Sequence, residues 1–117
     1  MSAARWSRIL LLPALMGSSP RSTAPEVAVA VQLFQFQPKS LEVPVGSRVT
    51  WTNADQIEHT VTSGDGDRAD GQFAAVVAGK GTSFTQQFDQ PGVYAYYCDR
   101  HHFMRGEIRV VPGKAGN

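Results

Sequence analysis

The chain cannot run far without meeting a glycine or a proline. From Pro38 onward they recur at Pro44, Gly46, Gly64, Gly66, Gly71, Gly79, Gly81, Pro91, Gly92, Gly106, Pro112 and Gly113. Neither suits a helix interior, because proline lacks the amide proton and glycine gives up the most backbone freedom. No stretch between them holds an apolar 3.6-residue period for three turns, and short runs rich in Val, Thr, Phe and Tyr fill the gaps. Strands are expected near 27–34, 41–43, 48–53, 59–63, 73–77, 82–88, 92–98 and 106–111, with 65–71 (DGDRADG) as a polar loop. Seven to eight short strands over such a span predict an all-β Greek-key sandwich or small barrel.

Alternation assigns the faces. Tyr94, Tyr96 and Cys98 share one side of their strand, while Val93, Ala95 and Tyr97 share the other. By that count Tyr97 faces outward. Val49 and Trp51 mark the core side of 48–53, and Asn53 follows them in phase. A tyrosine just after Pro91-Gly92 suits a buried corner.

The N-terminus has a different character. Arg5 and Arg8 precede a short apolar run from Ile9 to Met16, and small residues follow. That order is a secretory leader, and the run is too short to span a bilayer. Residues 1–25 are read as the leader and 26–117 as one domain. Ser22 to Ala24 offers small residues for cleavage but Pro25 follows, while Ala28 to Ala30 sits where the first strand is expected. The periplasm is the expected location, with loose membrane association if the leader is retained. Without the leader, 8 basic residues face 10 acidic ones, a net charge of −2. No basic stripe interleaves with aromatics, so nucleic acid is not an expected partner.

Cys98 is the only cysteine, so no disulfide forms within the chain. A lone thiol in an oxidising compartment must be buried or bound to metal. Taken alone, Cys98 reads as an inert buried thiol, His59 as a loop-edge residue and Met104 as a core plug. Together they read otherwise. Cys98, His101 and Met104 stand with two residues between each pair in CDRHHFM, on a tight loop between two strands. His59 opens a strand elsewhere and supplies a fourth donor. A thiolate, two imidazoles and a thioether form a soft set that magnesium and calcium avoid. Zinc tolerates Cys and His, but the thioether argues for copper. With four positions filled by protein, no open site is left for a substrate. His102 is expected to point away from its neighbour, and its exchange with His101 as ligand stays open.

The segments LEVPVGSRVTWTNADQIEHTV (41–61) and FDQPGVYAYYCDRHHFMRGEIRV (88–110) resemble the cupredoxins, most closely the amicyanin-like group. The resemblance runs from about residue 27 to residue 112 and implies a Greek-key β-sandwich of seven to eight strands. It also implies one copper ion per chain, cycling between Cu(I) and Cu(II). His59, Cys98 and His101 would be its strong ligands and Met104 its weak axial one. Two positions depart from the pattern. Thr60 stands where many members have Asn, and His102 where amicyanins tend to have Pro.

The expected function is one-electron transfer by a monomeric protein that is not an enzyme. Its partners would be an electron donor and acceptor, such as a dehydrogenase or a c-type cytochrome, meeting it at a weak, transient surface around His101 and Phe103. Arg100 and Arg105 would steer an acidic partner there. Tyr97 is a second possible exit. The alternative is a periplasmic copper-binding or copper-delivery protein, for which a Met-rich exposed site would be expected.

Overall fold

Alternation carries through into packing. The computed structural model describes residues 24–113. Nine strands form: β1 (Glu26–Gln32), β2 (Gln35–Gln37), β3 (Ser40–Pro44), β4 (Ser47–Asn53), β5 (His59–Gly64), β6 (Ala69–Val77), β7 (Ser83–Phe88), β8 (Gly92–Tyr97) and β9 (Arg105–Val111). Hydrogen bonds order them into two sheets, β2-β1-β4-β7 and β3-β9-β8-β5-β6. β1 runs parallel to β4 and β3 parallel to β9, and the other neighbours are antiparallel. This is a two-sheet Greek-key sandwich.

The core lies between the sheets. Val49 and Trp51 of β4 are fully buried beside Val29 and Val31 of β1, facing Val61, Tyr96, Ile108 and Val110. The Trp51 ring stacks on Phe84 at 5.7 Å and meets Tyr96 of the opposite sheet edge-on at 5.2 Å. Losing a core aromatic of this kind typically costs about 3–5 kcal/mol. The corner tyrosine is Tyr94, whose hydroxyl donates to the Gln90 carbonyl at 2.7 Å across the Pro91-Gly92 turn.

Two boundaries differ from expectation. The strand expected over 27–34 breaks at Leu33 and Phe34, whose φ angles are 56° and 58°. The chain reverses there, so that Gln32 pairs with Gln35. Left-handed backbone costs an L-residue roughly 1–2 kcal/mol, and such turns favour Asn and Gly. Leu-Phe carries no such signal. The compensation comes from a distant residue: both turn amides donate to the Asp55 carboxylate, at 2.8 and 3.1 Å.

The second difference is β6, which starts at Ala69 within the expected polar loop. The polarity there belongs to an exposed edge strand, paired to β5 up to Gly64–Ala69. Asp65 accepts the amides of Asp67 and Arg68 and so makes the turn. Asp70 accepts the Ser63 hydroxyl at 2.6 Å and ties the edge down.

The expected leader falls largely on residues outside those described. Ala28 to Ala30 lie within β1, in register with Thr50 to Thr52.

Gly106 of β9 pairs with Tyr96, and a Cβ there would overlap the buried Tyr96 phenol ring. Gly106→Ala should therefore lower stability by about 1–3 kcal/mol, the usual cost of overpacking. Urea denaturation measures this, and an unchanged midpoint would show that the ring has room to move.

Candidate metal centre

The donor set is assembled where two strand ends of one sheet meet. β8 delivers Cys98 at its end, β9 resumes at Arg105, and the seven residues between them close on themselves. The Cys98 amide donates to the Met104 carbonyl at 3.0 Å, and the Met104 amide to the His101 carbonyl at 2.8 Å. This backbone closure turns Cys98 inward, fully buried, and leaves His101 half-buried.

His59 arrives from the neighbouring strand. The loop before it is organised by buried Asn53, whose side-chain amide donates to the carbonyls of Ile57 and Val77, both at 2.9 Å. Its oxygen accepts the Asp55 amide at 2.8 Å. His59 is thereby placed with Nδ1 3.8 Å from Cys98 Sγ, while His101 Nδ1 stands 3.6 Å from the same sulfur. All three donor atoms lie within 4.8 Å of one another. A nitrogen and a sulfur bound to one ion at about 2.0–2.1 and 2.3 Å, at roughly tetrahedral to trigonal angles, stand about 3.5–3.8 Å apart. The triad fits a metal ion. A thiolate with two imidazoles suits copper or zinc on distance alone, and the thioether that Met104 carries on the same loop favours copper.

Thr60 joins the two ligand-bearing segments. Its amide donates to Cys98 Sγ at 3.4 Å, and its hydroxyl oxygen accepts the Asp99 amide at 2.7 Å. Thr62 holds that hydroxyl from the other side at 2.9 Å. A threonine thus performs the cross-loop bonding for which an asparagine was the expected residue.

His59 has a second partner. Its Nε2 lies 2.8 Å from Asp55 Oδ2. Burial pulls the Asp55 carboxyl upward, but the Leu33 and Phe34 amides and His59 outweigh it and hold the group below its ordinary value. The Phe34 ring stands edge-on to both imidazoles, 5.1 Å from His59 and 4.9 Å from His101. Neither Asp55 nor Phe34 was expected at the site. Asp55 precedes His59 by four residues, a spacing that means little on a loop. Phe34 lies where a continuous strand was read.

The other sequence expectations sort as follows. His101, not His102, meets the thiol. His102 is exposed, donates from Nε2 to the Asp99 carbonyl at 2.9 Å, and packs edge-on over Tyr97 at 5.6 Å. Met104 is buried at the end of the loop and borders an open groove with Leu33, Phe34 and Phe103. Tyr97 does not face outward freely: it is only 4% exposed, because His102 covers it. The arginines are engaged too. Arg100 pairs with Glu58 at 2.9 Å, and Arg105 donates to the carbonyls of His102 and Asp65.

Residues 24–111 match the family of copper-binding proteins of the plastocyanin/azurin type. The chain belongs to that family. Among its members, amicyanin-alpha of Methylorubrum extorquens is 29% identical over 70% of this chain and 69% of its own length. Amicyanin of Paracoccus denitrificans is 29% identical over 72% of this chain, which spans 64% of that relative. A solved purple cupredoxin from Nitrosopumilus maritimus superposes with a TM-score of 0.66 at 29% identity, covering 73% of this chain and 99% of its own. Family membership joins the donor chemistry in identifying the triad as a copper site of the blue, type 1 class.

If Thr60 fastens the loop, Thr60→Val should leave the Asp99 amide without its acceptor at nearly constant side-chain volume. The metal-free protein should lose about 1–3 kcal/mol, the cost of an unmade buried hydrogen bond. Thr60→Ser should lose less. Equal denaturation midpoints for Val and parent would remove Thr60 from this role.

Proposed function

We propose that this chain carries single electrons between redox proteins in the periplasm, with Met104 as the weak axial ligand completing the His59, Cys98 and His101 set. When bound, one copper ion supplies a Cu(I)/Cu(II) couple, which is the only chemistry the protein needs from it. The residues do the rest. Cys98 and His59 are wholly buried, so they exclude water and hold their places, and His101 alone among the three reaches partial exposure. That difference carries the reading: the site meets the outside at one imidazole edge.

The surround of that edge is apolar. Phe103 is 70% exposed and Leu33 69%, and Phe34 packs against both His101 and Phe103, with ring centroids 4.9 and 6.5 Å away. An apolar rim permits close approach at little desolvation cost. Arg100 is paired with Glu58, while Arg105, held by backbone carbonyls, keeps its positive charge at the edge of this face, so steering of an acidic partner rests on Arg105. Donor and acceptor, for instance a dehydrogenase and a c-type cytochrome, would dock there weakly, as redox encounters do, with a monomeric carrier. Nothing is chemically converted in this reading. The leader composition of residues 1–25 supports export. Copper delivery is less well served, because release calls for exposed donors and two of these three are fully buried.

Copper titration tests the site. One equivalent should produce an intense visible thiolate band that Cys98→Ser abolishes, while His102→Ala keeps it. Met104→Leu should keep the colour and raise the reduction potential, since a thioether supports the oxidised ion better than an alkyl group. Colour lost in His102→Ala but kept in His101→Ala would reverse the ligand assignment.

The contact face has its own test. Phe103→Glu should slow electron self-exchange by about tenfold or more, because like charges then meet across an apolar contact. The visible spectrum should not move. Wild-type exchange rates at every salt concentration would place the contact elsewhere.

A further inference from the structure

One carboxylate joins an imidazole to two neighbouring amides that lie far from it in sequence. Asp55 Oδ1 accepts the Leu33 amide at 2.8 Å. Its Oδ2 accepts the Phe34 amide at 3.1 Å and lies 2.8 Å from His59 Nε2. The side chain is 12% exposed, and its own backbone is pinned, since the Asp55 amide donates to Asn53 Oδ1 and the Ala54 amide to the Val31 carbonyl at 2.7 Å. We propose that Asp55 is a positioning residue that fixes the His59 imidazole for ligation through Nδ1 while building the Leu33–Phe34 turn that walls the site. This rests on the copper reading above and extends it to a residue outside the ligand set.

The first half follows from proton accounting. An ionised carboxylate only accepts, so the imidazole proton sits on Nε2. That leaves the Nδ1 lone pair free, on the edge facing Cys98 Sγ. A carboxylate on a ligand imidazole also fixes the ring's rotation and raises its basicity. The negative charge favours the more positive oxidation state, so Asp55 holds the reduction potential down.

The second half follows from the turn. Leu33 and Phe34 both sit at positive φ without the residues that normally tolerate it, and the amides exposed by that turn point at Asp55. The turn in turn sets the Phe34 ring against His59 and His101. Ligand geometry and the apolar wall therefore share one support.

Three measurements on the full chain test this. In metal-free protein, at a pH where His59 is neutral, nitrogen-15 NMR should find its proton on Nε2; a neutral ring with its proton on Nδ1 overturns the proposal without any variant. In Asp55→Asn, amide exchange at Leu33 and Phe34 in metal-free protein should accelerate about tenfold or more, as for loss of a hydrogen bond to a charged acceptor. Unchanged exchange overturns the clamp. With copper bound, Asp55→Asn should shift the potential positive, and Asp55→Glu, which keeps the charge, should return it toward the parent. Glu58→Gln removes an equal charge from the same loop but pairs with Arg100, not His59, and should shift the potential less. An equal shift in Glu58→Gln, or none in Asp55→Asn, overturns the positioning role. A parent protein without the blue band would instead defeat the copper reading, which the two metal-free measurements do not use.

Discussion

The site depends on a seam one residue wide, where β5 meets the loop from Cys98 to Met104. Thr60 follows His59 directly in β5, so the strand that presents one imidazole also donates an amide to the thiol sulfur. The same residue's hydroxyl accepts the Asp99 amide and fixes the backbone just beyond Cys98. Two donors from segments almost forty residues apart are thereby positioned by one rigid element. Buried polar groups are tolerated only when satisfied, and here the bonds that satisfy them also set the donor spacing.

Around that seam the interior is packed and apolar, with Trp51, Tyr96 and Ile108 filling the space between the sheets. Close packing resists small displacements, because any shift forfeits many contacts at once. A site whose charge changes by one benefits, since donors that cannot relax need little rearrangement between the two states. The loop's own backbone bonds, from Cys98 to Met104 and from Met104 to His101, extend this stiffness to the end of the sandwich where the chain is otherwise exposed.

What the sequence discloses follows from which signals are local. The triad was legible because Cys98 and His101 share one short loop with Met104, and His59 is the one histidine outside that loop, with His102 open only as an exchange for His101. The core faces were legible because Val49, Trp51, Tyr96 and Cys98 keep strict alternation. The Leu33–Phe34 turn was not, because its stabilising partner lies more than twenty residues away and its own residues argue for a continuing strand. Asp55 was hidden for the same reason: it joins the site through a turn whose existence it creates. The start of β6 was read as loop because its exposed residues have no buried face to impose alternation, and Tyr97 was read as open because alternation reports a side of the sheet and not what lies over it.

That last point separates the two routes by which an electron might leave Cys98. Along the chain, Tyr97 is the nearer neighbour, yet His102 packs over it, and its phenol is pushed above its ordinary value by desolvation and then by the carboxylates of Asp99, Asp65, Asp67 and Asp70. That side is therefore covered and lies in a negative field. On the His101 side the rim is apolar, with Phe103 and Leu33 exposed, and Arg100 is paired with Glu58 while Arg105 is held by backbone carbonyls. A partner meeting an apolar rim of this kind gives up little hydration. One approaching Tyr97 must either carry positive charge or move the His102 ring aside. The residue that stands where amicyanins tend to have proline thus contributes to this difference between the two sides: His102 packs over Tyr97, whereas the His101 imidazole stays partly exposed.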